Sequence, residues 1–157
     1  MSSILKSIHL GGERYLVADD EYDLMIMDQR SGKCAFFTGP RWSRLVGDMN
    51  GIDVMVQRAS SDKPADFKRH LGGRWHVSVK DGVPCVDFRR WYMKDNVLHP
   101  TTSGIALTYG QWNKLKDAVE TLQNEVPALT AISPCWHESQ VEMEHCRECS
   151  PFNNDNS

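Results

Sequence analysis

The sequence predicts an α+β protein made of two copies of one pattern, a strand-rich front half followed by a helix, and three observations carry that prediction. The first is an internal repeat: His9-Leu10-Gly11-Gly12 recurs as His70-Leu71-Gly72-Gly73, and Trp42 with Leu45 recurs as Trp112 with Leu115. Self-similarity at such a period marks repeated supersecondary units. The second is a change of period within each copy, from apolar alternation of two to a stripe of 3.6. The third is size. A copy of roughly 55 to 60 residues with one helix buries too little surface to stand alone, so the two complete one core together.

Composition narrows the class further. The chain has 157 residues, 40% of them hydrophobic and 25% charged, with a net charge of -3. That is too short for a large multi-domain enzyme and too acidic for a uniformly basic nucleic-acid wrapper. No stretch approaches the roughly 18 apolar residues of a membrane span, and the N-terminus lacks a charged region followed by an apolar one, so the chain reads as soluble and intracellular. Five cysteines, an odd count, argue against a disulfide-stapled secreted fold.

The first copy spans 4–57. Tyr15 and Val17, then Leu24 and Ile26, then Cys34 to Phe37 offer strands. Thr38 followed by Pro40 starts a helix whose apolar seam is Trp42, Leu45, Val46, Met49 and Ile52. Residues 58–66, polar and containing Pro64, read as a linker. The second copy spans 67–126. Trp75, Val77 and Val79 alternate with His76, Ser78 and Lys80, and Val86 and Phe88 alternate with Asp87 and Arg89. The second copy is longer in its middle, and Tyr92 to Ser103 reads as a loop between strands. Thr108 and Gln111 form a capping box ahead of the seam Trp112, Leu115, Val119, Leu122 and Val126. The two helix tryptophans, Trp42 and Trp112, read as seam packing. Residues 127–157 read as a polar, acidic tail whose last roughly ten residues are disordered.

Charge is unevenly shared, at -2 over 1–62, +3 over 63–126 and -4 over 127–157. The basic excess falls where a run of motifs becomes recognisable: Leu71-Gly72, His76-Val77-Ser78-Val79-Lys80-Asp81, Val86-Asp87-Phe88-Arg89-Arg90-Trp91-Tyr92-Met93, Gly104-Ile105-Ala106-Leu107 and Gln111-Trp112-Asn113-Lys114-Leu115-Lys116. In that order, over about 67–122, they resemble the C-terminal domain of the positive cofactor four transcriptional coactivators, a single-stranded DNA-binding family. The resemblance implies four antiparallel strands and one helix per copy, a ββββα unit. It also implies a dimer of such units with paired helices and curved sheets facing unpaired DNA. The first copy looks like a degenerate second example, so the resemblance points to an intramolecular pseudo-dimer, a monomer in solution that supplies both halves at high effective concentration. By family position Lys80, Arg89 and Tyr92 match DNA-contacting residues, with Trp91 an adjacent stacking candidate.

Single-strand binders pair cations that track phosphates with aromatic faces on which bases stack. Arg74, Trp75, Lys80, Arg89, Trp91 and Tyr92 supply both kinds within one sheet, although Trp75 shares the alternation of Val77 and Val79, the pattern of a core residue. From the first copy Arg14, Arg30, Lys33 and Arg41 remain as contacts. The chain departs from the family at Gly82-Val83-Pro84, a shorter uncharged hairpin, at Thr102-Ser103, where relatives carry a basic pair, and at Gly73, where they carry a lysine; each loss weakens phosphate binding. Asp19-Asp20-Glu21-Tyr22-Asp23 is either a solvated turn or a docking site for a basic partner.

The tail holds Cys135, His137, Cys146 and Cys149, a soft-ligand set that fits tetrahedral zinc, the alternative being free thiols; no other cofactor is indicated. No Gly-rich phosphate loop, nucleophile elbow or His-Glu-x-x-His is present, and the chain reads as no enzyme. The leading expectation is a single-stranded DNA or RNA binder of coactivator type with weak sequence selectivity, working with the transcription machinery and, in a eukaryote, nuclear by resemblance. The alternative is a protein-interaction scaffold that kept the fold and lost most of the DNA surface.

Overall fold

A computed structural model describes residues 3–132. Strands β1 (Ile4–Gly11), β2 (Arg14–Asp19), β3 (Leu24–Asp28) and β4 (Cys34–Phe37) form one antiparallel meander, followed by helix α1 (Gly39–Ser60). The pattern repeats as β5 (Asp66–Gly72), β6 (Trp75–Lys80), β7 (Val83–Lys94) and β8 (Val97–Thr108), followed by α2 (Tyr109–Glu125). A short 3-10 turn, Pro127–Ala131, ends the described chain. The architecture is two ββββα units, as expected. The zinc reading on Cys135, His137, Cys146 and Cys149 lies outside the described residues.

Both copies turn early in the same way. The β1–β2 hairpin places Gly11 and Gly12 at φ 120° and 56°, and the β5–β6 hairpin places Gly72 and Gly73 at 136° and 55°. Such angles cost a side chain strain that glycine does not meet, which explains why this dipeptide recurs. At Gly72 an added Cβ would also fall 3.0 Å from Cγ of Arg41.

The helices start where the caps predict. The Thr38 hydroxyl accepts the Arg41 amide of α1, and Thr108 with Gln111 closes a full capping box on α2. Of the two seams, Trp42, Leu45, Met49 and Ile52 are buried on α1, and Trp112, Leu115, Val119 and Leu122 on α2. These seams are shared between copies. Helix α1 packs against β5, β6 and β7 of the other unit, while α2 packs against β1 and β2 as well as its own β7 and β8. A single apolar cluster therefore runs from Leu10, Leu16 and Ile26 through both helices to Val77, Phe88 and Leu107. One polar pin crosses between the helices: Asp53 Oδ1 accepts Trp112 Nε1 at 3.1 Å and Lys116 Nζ at 2.7 Å, and Gln57 Nε2 donates to Oδ2 at 3.1 Å.

Two expectations are corrected. Tyr92 to Ser103 is no loop: β7 and β8 run on as a hairpin arm, pairing Tyr92 with His99, Met93 with Leu98 and Lys94 with Val97. Asp95 and Asn96 make the turn at φ 54° and 62°, a left-handed pair that these two residue types tolerate. Tyr15 and Val17 lie in β2, as expected, but they are not its inward residues. Leu16 and Ala18 are, and the pleat then sends Tyr15 and Val17 to the opposite face. Arg41, read as a nucleic-acid contact, is fully buried in the first turns of α1 beside Gly72.

The Asp53 pin yields a prediction. Burial pushes the carboxyl up, but the bonds from Lys116 and Trp112 outweigh it and hold Asp53 below 3.8. Its contribution is therefore present above the unfolded carboxylate pKa and fades as pH falls through the lower folded value. Asp53→Ala leaves the Trp112 N–H and the Lys116 ammonium without this partner and is expected to cost about 1–3 kcal/mol by urea denaturation at pH 7. The loss relative to wild type should shrink in acid. A single transition is expected in both proteins, since both copies share one core.

Candidate nucleic-acid interface

The inward residues of β5–β8 dictate what faces outward. With Val77, Val79, Val86, Phe88, Ile105 and Leu107 in the core, alternation turns the intervening side chains to the other side. The register stacks them in rows. One row runs His70, His76, Arg89, Gly104; the next runs Lys68, Ser78, Asp87, Ala106; Asp66 and Lys80 pair beyond it. Past Arg89, a shift in the β7–β8 pairing between Arg89 and Trp91 carries the strands into the arm, with Trp91 opposite Pro100.

Trp91 reaches back over the face. Its ring centroid lies 6.1 Å from that of His76, and the Lys68 ammonium sits 4.0 Å from the indole centroid in a cation–π contact. His70 and His76 meet edge to face at 5.1 Å. This cluster joins a cation, an indole and two imidazoles on one patch spanning β5, β6 and β7. The indole Nε1 of Trp91 and Nδ1 of His70 are covered yet have no hydrogen-bond partner among the described residues. A covered polar atom without a partner is costly.

The histidines are neutral. Burial drives the His70 pKa down to about 3, with His76, Arg44 and Arg41 adding repulsion. Burial likewise takes His76 to about 4, against a smaller opposing pull from the Arg74 carbonyl, 3.4 Å from Nδ1, and with Lys68 and Arg44 pushing the same way as burial.

Arg89 is committed within the sheet. Its Nε and Nη2 donate to the two Asp87 carboxylate oxygens at 3.0 and 2.9 Å, and Nη1 donates to the Thr101 carbonyl at 3.0 Å. The Thr101 hydroxyl in turn donates to the Arg90 carbonyl at 2.8 Å and accepts the Ser103 amide at 3.1 Å, so Arg89 and Thr101 together fasten the base of the arm. Gly104 makes room: a Cβ there would come within 2.5 Å of the Phe88 carbonyl oxygen and 3.1 Å of Cζ of Arg89.

The residues named from sequence are thus divided. Lys80, Arg89 and Trp91 share the outer face, with Lys80 exposed at the end of β6. Arg74 occupies the β5–β6 turn at φ 76°. Tyr92, next to Trp91 in an extended strand, points the other way and stacks on His99 at 5.2 Å. Trp75 is a core residue, 4% exposed, and offers no stacking face. Arg14 pairs with Asp28 at 3.0 Å and Lys33 lies in the exposed β3–β4 turn, both on the first unit. Lys68, His70 and His76 share this face and are not among the residues named as contacts from sequence. Pairing the alternations of 68–70 and 76–80 across the Gly72-Gly73 turn would have brought them together.

The first unit presents different chemistry at equivalent places. His9 pairs with Tyr15, Tyr15 with Met27 and Met27 with Cys34, so Met27 stands where Arg89 does. By the same register Val17 and Met25 replace Ser78 and Asp87, Phe36 replaces Ala106, and Asp19 replaces Lys80.

Residues 70–118, from the end of β5 into α2, match the family model described as Transcriptional Coactivator p15 (PC4). The match takes in the two histidines, Arg89, Trp91 and the arm, and leaves the first unit uncovered. No curated protein and no solved structure gives a significant match to the chain.

The buried imidazoles give the site a pH signature. Both are neutral when folded and titrate near 6.5 when unfolded, so the unfolded chain binds more protons between those values. Stability should fall as pH drops below about 6.5 toward the folded values. Urea midpoints compared at pH 7 and pH 5 check this, and His70→Gln with His76→Gln should flatten the difference. In NMR titrations neither ring should show an inflection between pH 5 and 8.

Proposed function

We propose, from the premise that residues 70–118 form a domain of the PC4 transcriptional coactivator family, that this protein binds single-stranded nucleic acid through the outer face of β5–β8 and acts in transcription without catalysing a reaction. The observation that carries the reading is the Lys68–Trp91–His76 contact. An indole face with a cation beside it is the combination that unpaired strands use, since bases stack and phosphates pair with the ammonium. Lys80 adds a second cation to the same face, two residues along β6 from Ser78, the strand partner of Lys68. Stacking and phosphate pairing read little sequence, so selectivity is weak.

Arg89 serves here as a positioning residue. Held by Asp87 and Thr101, it fixes the strand that presents Trp91, and its charge is offset by the Asp87 carboxylate. The shared core lets one chain do what a dimer would, and the two outer faces then need not be alike. Lys80 in one face and Asp19 in the other make the binding lopsided, with the second unit dominant.

Anisotropy titrations with a fluorescent single strand of about 20 bases, across a salt series, test the reading. Affinity should fall as salt rises. Trp91→Ala should weaken binding by about 5- to 150-fold, the loss of one stacked base at ~1–3 kcal/mol. Lys68→Ala and Lys80→Ala should each lower the salt slope by about 0.7. Salt-independent binding, or equal affinity for Trp91→Ala and wild type, would contradict it.

A further inference from the structure

The outer face of β1–β4 carries an observation that single-strand binding leaves unused. Val17, Met25 and Phe36 form one cross-strand row and Tyr15 and Met27 the next, all half-buried and none packed against the core cluster. At the positions where the second unit places Lys80, Arg89, Asp87 and Ser78, the first places Asp19, Met27, Met25 and Val17. Solvent-facing sheet faces normally carry polar side chains, and a contiguous apolar patch with a polar rim marks an interaction surface.

The rim is charged at the β2–β3 turn, where Asp19, Asp20, Glu21 and Asp23 lie together. These carboxylates oppose a nucleic-acid backbone and equally oppose residues 133–157, which hold five carboxylates against one arginine. A second copy is disfavoured by size. Four strands about 4.8 Å apart and about five residues long give a face of ~320 Å², well short of the ~800 Å² per partner of a stable dimer. An amphipathic helix of about three turns, ~10 Å wide and ~16 Å long, matches those dimensions.

We propose that the outer face of β1–β4 is a docking surface for a short amphipathic, basic segment of another protein, with its apolar side on Val17, Met25, Met27 and Phe36 and its lysines or arginines against the Asp19–Asp23 turn. Methionines suit this role because their flexible, polarizable side chains adapt to more than one apolar partner. The protein is then two-sided, with unpaired nucleic acid on one sheet and a polypeptide on the other. This surface stands independently of the nucleic-acid reading, because it uses a different sheet.

The methionines also supply the probe. With methyl-labelled methionine, Met25 and Met27 report on this face, Met93 on the hairpin arm and Met49 on the core. The full chain is titrated with a synthetic helical peptide of leucines and lysines, with its leucine–glutamate counterpart, and with a 20-base single strand. The lysine peptide is expected to move Met25 and Met27, to leave Met93 in place, and to bind at least tenfold more tightly than the glutamate peptide. Glu21→Lys, on the exposed turn, should weaken it about threefold or more, and Met25→Gln with Met27→Gln about tenfold, while both variants keep the wild-type urea midpoint and the oligonucleotide affinity. Equal binding of the two peptides, shifts confined to Met93, oligonucleotide shifts at Met25 and Met27, or concentration-dependent self-association through these methionines would each overturn the proposal. Loss of oligonucleotide binding at sheet β5–β8 with the peptide response intact would strike only the nucleic-acid reading.

Discussion

Neither helix finishes its own unit, and that constraint organises the molecule. Helix α1 meets β4 of its own unit but packs more extensively against β5, β6 and β7 of the other, while α2 reaches across to β1 and β2. Each sheet thus depends on a helix contributed partly or wholly by the other copy, and the apolar cluster cannot be cut between them. Burial of this kind is the dominant favourable term in folding, but it has no direction of its own. Direction comes from Asp53, which accepts both Trp112 and Lys116 and so fixes how far α1 and α2 can slide. A polar group inside an apolar seam restricts register because its partners must stay in reach.

Period two does the rest. Once Val77, Val79, Val86 and Phe88 face the helices, the chemistry of the other side is set by the residues between them. In the second unit those are Lys68, His70, His76, Asp87, Arg89 and Trp91, and in the first they are Ser7, Val17, Met25, Met27 and Phe36. The inner parity repeats apolar for apolar, Leu10 matching Leu71 and Leu16 matching Val77, so one architecture carries two unlike surfaces.

This separation governs what the sequence reveals. The ββββα order, both helix caps and both seams are legible because they rest on local periods and on capping chemistry that short windows contain. The arm was misread because Pro100 and the Thr-Thr-Ser run look like loop residues; the pairing of Tyr92 with His99 and of Met93 with Leu98 depends on partners across a turn that no single window shows. Tyr15 and Val17 mark β2 as a strand without showing which way they face, because an outer face is expected to be polar and here it is not. Arg41 misled for the opposite reason, since a guanidinium buried at the start of a helix defies the rule that charges stay outside. Trp91 was legible as an aromatic beside a basic run, whereas its link to Lys68 and His76 follows from strand register, which is non-local information.

Joining the copies in one chain changes what the surfaces can be. In a symmetric dimer every outer-face residue appears twice, so a change that suits one partner is imposed on both faces. In a single chain Lys80 and Asp19 occupy equivalent strand positions with opposite charge, and Arg89 and Met27 occupy another with no charge in common. Neither difference reaches the core, because outward parity keeps both out of the shared cluster. The covalent link also holds the halves together at any concentration, so affinity for a ligand on one face is not diluted by dissociation of the other. An interlocked core that tolerates unlike exteriors therefore lets a small chain present two chemically unlike surfaces, the carboxylate-rimmed apolar face of β1–β4 and the Lys68–Trp91 patch on β5–β8.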